Sequence, residues 1–128
     1  MKKILSGLGT SKGKVIGIVR VIKNIEDHKK FNENDILVTR LTDPTMVPLM
    51  AKAAGIICDI GGLTSHPSIV SREMGIPCIV AANNATVMLK DGDKIHMCGE
   101  SGDIHKIDEQ SEKVNSIGPS QEWNLKWK

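Results

Sequence analysis

The residues best suited to chemistry lie in one unbroken run, Gly61-Gly62-Leu63-Thr64-Ser65-His66-Pro67-Ser68-Ile69-Val70-Ser71-Arg72-Glu73-Met74-Gly75-Ile76-Pro77. An imidazole with one ring nitrogen deprotonated is a competent nucleophile near neutral pH. The two leading glycines permit a sharp, close-packed turn. Pro67 suits the first position of a helix, which puts His66 at its N-cap. A side chain there sits beside unsatisfied backbone N–H groups at the positive end of the helix dipole, a favourable place for an added phosphoryl group. Thr64 and Ser65 are positioned to bond the ring or the phosphate. Arg72 neutralises charge if the helix turns it toward the site, and Gly62 and Ser68 join it as candidate phosphate-binding residues. On the residues alone two readings stand. One is an anion site holding a nucleophile; the other is a helix start in which His66 is a cap and Thr64 and Ser65 close a turn.

The elements around this run follow from pattern. Lys14 to Lys23 is rich in β-branched residues and predicts a strand, as do Asp35 to Arg40, Ile56 to Ile60 and Cys78 to Ala82. The apolar character of the last three predicts burial on both faces. Asn24, Asp27 and Asn32 mark a polar connection after the first. A helix starts near Val47 or Pro48 after the turn at Asp43-Pro44, with Leu49, Met50, Ala53 and Ala54 as its apolar stripe and Gly55 as its stop. A second helix runs from about Pro67 to Met74, ended by Gly75 and Pro77. Asp91-Gly92-Asp93 turns the chain into Lys94 to Cys98, and Gly99-Glu100-Ser101-Gly102 loops it back into Asp103 to Ile107 as a hairpin.

At 128 residues the chain has room for one hydrophobic core. Residues 1–108 are read as the domain. Residues 109–128, polar and holding both Trp123 and Trp127, are read as a C-terminal tail. With one Phe and no Tyr the core must be aliphatic, and the stacking platform of single-stranded nucleic-acid binders is missing. A net charge of +2 with scattered lysines gives neither a nucleic-acid stripe nor a polybasic membrane patch. No apolar stretch is long enough for a membrane span or a signal-peptide core, so the cytoplasm is the expected compartment. Cys58, Cys78 and Cys98 each lie in apolar runs, where a free thiol behaves as a small hydrophobe. His28, His96 and His105 are scattered singles, and no spacing supports a metal site.

The run GG-x-TSH-x-x-I-V-x-RE-x-GIP resembles the signature around the phosphorylated histidine in the mobile domain of PEP-utilising enzymes. That family includes pyruvate phosphate dikinase, phosphoenolpyruvate synthase and the first enzyme of the sugar phosphotransferase system. The resemblance extends from about Gly9 to Ile107 and takes in Gly9, Gly13 and Gly17, the Thr42-Asp43-Pro44 segment and the Gly92-Asp93 turn. It implies an α/β chain folded as a swivelling β/β/α phosphohistidine domain, with His66 as phospho-acceptor, Thr64 as its helper and Arg72 as a phosphate partner. Many relatives have a small residue where Pro67 stands, so this site has one backbone donor fewer.

Relatives join this domain to an ATP-grasp nucleotide-binding unit, a pyruvate- or phosphoenolpyruvate-binding barrel, or both. The resemblance therefore implies such partners acting in trans. Magnesium with ATP or phosphoenolpyruvate would be held by the partner, with no cofactor bound by this chain directly. The competing expectations are a binding or regulatory module that keeps the fold without turnover, and a fragment of a larger dikinase.

Overall fold

The structure, a computed structural model, describes residues 1–107. Eight strands form one continuous ladder in the order β1-β8-β7-β3-β4-β5-β6-β2. They are β1 (Lys2–Ser6), β2 (Leu8–Ser11), β3 (Lys14–Val21), β4 (Ile36–Thr39), β5 (Gly55–Cys58), β6 (Cys78–Val80), β7 (Lys94–Cys98) and β8 (Asp103–Lys106). β3, β4, β5 and β6 are mutually parallel, and all other pairings are antiparallel. The connections carry α1 (Val47–Lys52) between β4 and β5, α2 (His66–Met74) between β5 and β6, and α3 (Ala85–Met88) between β6 and β7.

Three layers result. Ile36, Val38, Ile57 and Ile79 point to one side of the parallel strands and pack with Ile95, Met97 and Ile104 of the β7–β8 hairpin. Leu37, Ile56, Cys58, Cys78 and Val80 alternate to the other side, against Met46, Leu49 and Met50 of the α1 region. Strands β4, β5 and β6 are therefore buried on both faces, which is why they read as unbroken apolar runs. The layering is β/β/α. Burial pushes the Cys58 and Cys78 thiols up, as expected of inert core cysteines.

Several boundaries differ from the sequence pattern. Gly55 opens β5 instead of stopping α1, which ends at Lys52 because Ala53 is already extended (φ −78°, ψ 145°). β6 ends at Val80 because Ala81 turns left-handed (φ 53°). The polar connection after β3 holds a 3-10 turn, Ile25–Lys30, closed by a reciprocal capping box between Asn24 and Asp27. Asp43 caps a further 3-10 turn, Pro44–Met46, ahead of α1. Strands β1 and β2 and helix α3 have no counterpart in the pattern reading. Trp123, Trp127 and the expected tail lie outside the described residues.

The layers close where backbones touch. A Cβ added at Gly99 would lie 1.8 Å from the Ser11 carbonyl oxygen, and one at Gly9 would lie 2.2 Å from the Gly99 oxygen. The β7–β8 turn thus seats against β2 with no room for a side chain on either side. At the other end of the ladder Lys2 pairs with Lys106 across β1 and β8.

His96 and His105 face each other across β7 and β8, their rings 6.0 Å apart and inclined by 62°. Burial, the neighbouring His105 and the Lys14 ammonium hold His96 below its ordinary pKa of 6.5. The unfolded chain therefore binds a proton that the native state resists, so stability falls as pH drops below about 6.5. The aspartates that are shifted down, Asp27, Asp43 and Asp91, titrate in a separate window below 3.8. Melting curves between pH 7.5 and 5 should show the first loss, and His96→Phe should flatten it. An unchanged acid slope in the variant would assign that loss elsewhere.

Candidate functional site

The parallel arrangement of β4, β5 and β6 brings their exits to one edge, where loops gather as in other open α/β sheets. The Asp59 N–H donates to the Thr39 carbonyl at 3.1 Å and the Ile60 N–H to the Arg40 carbonyl at 3.2 Å. The β4 and β5 exits therefore run on side by side beyond the strands. Gly61 then reverses the chain with φ 126°, and a Cβ there would meet Ser65 Oγ at 2.9 Å and the Val80 Cβ at 3.2 Å. Only glycine fits that turn.

Ser65, not His66, is the N-cap of α2: its backbone is extended, and its carbonyl accepts from the Ile69 N–H at 3.1 Å. His66 is the first helical residue and Pro67 the second. The expected placement was one residue off because proline is tolerated throughout the first turn, where its missing N–H leaves no helical bond unmade. Ser65 does not cap with its hydroxyl. Its Oγ donates instead to the Gly62 carbonyl at 2.8 Å, so no side chain covers the first-turn amides. Gly75, left-handed at φ 71°, ends the helix as expected.

The partner of His66 is a residue that the sequence offers only as part of the Thr42-Asp43-Pro44 segment of the family resemblance. Thr42 Oγ1 lies 2.7 Å from His66 Nδ1. Thr42 is 4% exposed, fixed at the β4 exit between Leu41 and the Asp43 cap. Local pattern carries no sign of this pairing across 24 residues. It comes from the parallel pairing of β4 with β5, which aligns Thr39 with Cys58 and leaves the two loops adjacent.

The other expected site residues divide. Thr64 is exposed and, among the described residues, makes no side-chain hydrogen bond. Ser68 is fully buried; its Oγ lies 2.7 Å from the Gly62 carbonyl and 2.9 Å from the Thr10 hydroxyl, and with one proton to give it must accept from Thr10 if it donates to Gly62. It braces the loop from below. Arg72, expected as a phosphate partner, reaches back to donate to the Leu63 carbonyl from an exposed position. Gly62 has open space where a side chain would stand. Ser65, Ser68 and Arg72 thus converge on the backbone of residues 61–65, and His66 converges with Thr42. Among the described residues no group of three or more His, Cys, Asp or Glu is arranged to hold a metal ion. No described helix is long and apolar enough to cross a membrane.

Residues 31–102 match the family described as PEP-utilising enzyme, mobile domain. This chain belongs to that family. The mobile domain is 50% identical over 103 residues to the phosphoenolpyruvate synthase of Pyrococcus furiosus, a stretch covering 80% of this chain and 13% of that protein. It is 46% identical over 103 residues to the probable phosphoenolpyruvate synthase of Methanothermobacter thermautotrophicus, covering 80% of this chain and 15% of the relative. The rifampicin phosphotransferase of Bacillus cereus is 43% identical over 101 residues, 79% of this chain and 12% of its own. The mobile domain therefore spans only a small part of these relatives. The fold is shared with Thermococcus kodakaraensis aconitase X, at a TM-score of 0.64 and 17% identity over 81% of this chain and 98% of that one. A solution structure of Enzyme I is also similar, at a TM-score of 0.53 and 26% identity over 70% of this chain and 38% of that one.

Proposed function

We propose that this mobile domain is a phosphohistidine carrier, taking a phosphoryl group on His66 Nε2 at one active site and releasing it at another. The observation that carries this reading is the Thr42 contact at Nδ1, which occupies one ring nitrogen and leaves Nε2 as the reactive one. In the tautomer that donates from Nδ1 to Thr42 Oγ1, the lone pair is on Nε2. Attack on a phosphorus forms the P–N bond as the donor's P–O bond breaks, and the displaced oxygen leaves with the electron pair. The reverse exchange onto an acceptor restores the free imidazole. The first-turn amides of α2, left without a side-chain cap, and the open face at Gly62 suit the added negative charge. Arg72 contributes by holding the loop through Leu63 and by its nearby positive charge.

The donor is ATP or phosphoenolpyruvate bound with magnesium in a partner module, of the ATP-grasp or pyruvate/phosphoenolpyruvate-binding type. The carrier works in the cytoplasm, and transfer is ping-pong covalent catalysis with a domain displacement between half-reactions.

Thr42→Val tests the carrying observation, since valine keeps the shape and removes the hydroxyl. Loss of a hydrogen bond to a group that gains charge costs about 1.5–3 kcal/mol, or about ten- to a hundredfold in rate where it acts in the transition state. The measurement is the rate at which labelled phosphoryl moves from a phosphorylated partner to the domain. A Thr42→Val protein that labels at the wild-type rate would remove the threonine from the mechanism.

A further inference from the structure

We infer that Asp59 is a positioning residue for His66, acting through Thr86 and the strap between β6 and α3; the inference rests on the phosphocarrier reading above. Every polar group of Asp59 is committed, the N–H to the β4 exit and the carbonyl and carboxylate to the segment that follows β6. Its N–H holds the β4 exit through Thr39. Its carbonyl accepts from the Asn83 N–H at 3.1 Å. Its carboxylate takes both donors of Thr86, the N–H on Oδ1 at 3.0 Å and the hydroxyl on Oδ2 at 2.6 Å.

The strap that Asp59 grips is strained. Ala81, Asn83 and Asn84 all have left-handed backbones, with φ of 53°, 46° and 57°. Non-glycine residues keep such conformations only where surrounding contacts over-determine them. Here the contacts are the Ala82 N–H to the Cys58 carbonyl at 3.1 Å, the Asn83 bond and the two Thr86 bonds. All end on Cys58 or Asp59, the last residues before the loop that carries His66.

The consequence for the ring is geometric. Val80 packs against the Gly61 turn, with the space for a Cβ at Gly61 ending 3.2 Å from the Val80 Cβ. Asp59 thus sets the gap between the β6 exit and Gly61 on one flank. On the other flank its N–H sets the β4 exit, from which Thr42 reaches His66. If the strap relaxes, Gly61 moves relative to Thr42, and the 2.7 Å contact at Nδ1 is the part least tolerant of that movement. A displacement of about 1 Å at a reacting group is enough to cost up to about a hundredfold in rate.

The full chain, with its histidine rings labelled with nitrogen-15, supplies the test. Ring signals of His66 report whether Nδ1 is bonded, while those of His96 and His105, on the β7–β8 hairpin, report that the fold is intact. Asp59→Ala should move the His66 Nδ1 signal toward that of a water-exposed imidazole and slow phosphoryl labelling about ten- to a hundredfold. Thr86→Val should do the same to a smaller degree, and Thr86→Ser, which keeps the hydroxyl, should restore both. Wild-type His66 signals in both Asp59→Ala and Thr86→Val would overturn the inference, even with a lowered melting temperature. If Asp59→Ala loses the His96 and His105 signals and so has not folded, the Thr86 pair decides alone. Failure of the wild type to take label from any donor would count against the phosphocarrier reading, while the ring signals would still decide whether Asp59 positions the imidazole.

Discussion

His66→Ala should abolish phosphoryl labelling while leaving the domain folded. The expected wild-type product is acid-labile and base-stable, as a phosphorylated imidazole is, and appears only with a phosphorylating partner; ATP or phosphoenolpyruvate alone should leave no label. Alanine removes the acceptor atom, so the loss should be complete rather than graded. A stability cost is expected as well. Thr42 is 4% exposed and would lose the acceptor or donor it has in His66 Nδ1. An orphaned buried hydroxyl costs about 1–3 kcal/mol. In a domain of this size about 1 kcal/mol lowers the melting temperature by about 4–8 °C. Equal labelling of His66→Ala and wild type would place the chemistry elsewhere.

The largest effect on stability is expected outside the His66 loop, at Gly99→Ala. The added methyl group would be placed 1.8 Å from the Ser11 carbonyl oxygen and 3.1 Å from the Cys78 amide nitrogen. Both neighbours are backbone in paired strands, so neither can rotate away as a side chain would. Overpacking of this kind costs about 1–3 kcal/mol where the surroundings can shift, and more where they cannot. Gly99→Ala should therefore lose about 3 kcal/mol or more, a fall in melting temperature of over about 10 °C. Gly62→Ala is the comparison, since nothing lies within 4 Å of its Cβ position; it should stay within about 0.5 kcal/mol of wild type. Equal melting of the two variants would show that β2 and the β7–β8 turn are not tightly seated.

Much of the fold was legible because β4, β5 and β6 are buried on both faces and so read as apolar runs. The helices were legible from their punctuation, Asp43-Pro44 before α1 and Gly75 after α2. β1 and β2 were not, because both are short strands held by pairing with β8 and β6, which no local pattern encodes. α3 spans four residues and rests on the Asp59 carboxylate, a contact across 27 residues. The site followed the same division. The His66 loop is contiguous and could be read outright. Thr42 reaches it only through the alignment of parallel strands, so its contact emerges from topology. Ser65 and Thr64 looked like partners of the imidazole because they are neighbours in sequence, yet the helix start turns Ser65 Oγ onto Gly62.

The pairing of Lys2 with Lys106 gives the body a handle. Its first and last strands lie side by side, and the Ile107 N–H is still tied to the Lys94 carbonyl at 2.9 Å. Covalent connections made through these two strands would meet the domain at a single patch, like two cords knotted to one ring. Torque applied there would turn the body as a unit. The layers need not shear and no ladder hydrogen bond need break. A cassette attached in this way would present one histidine in several directions without altering its own interior.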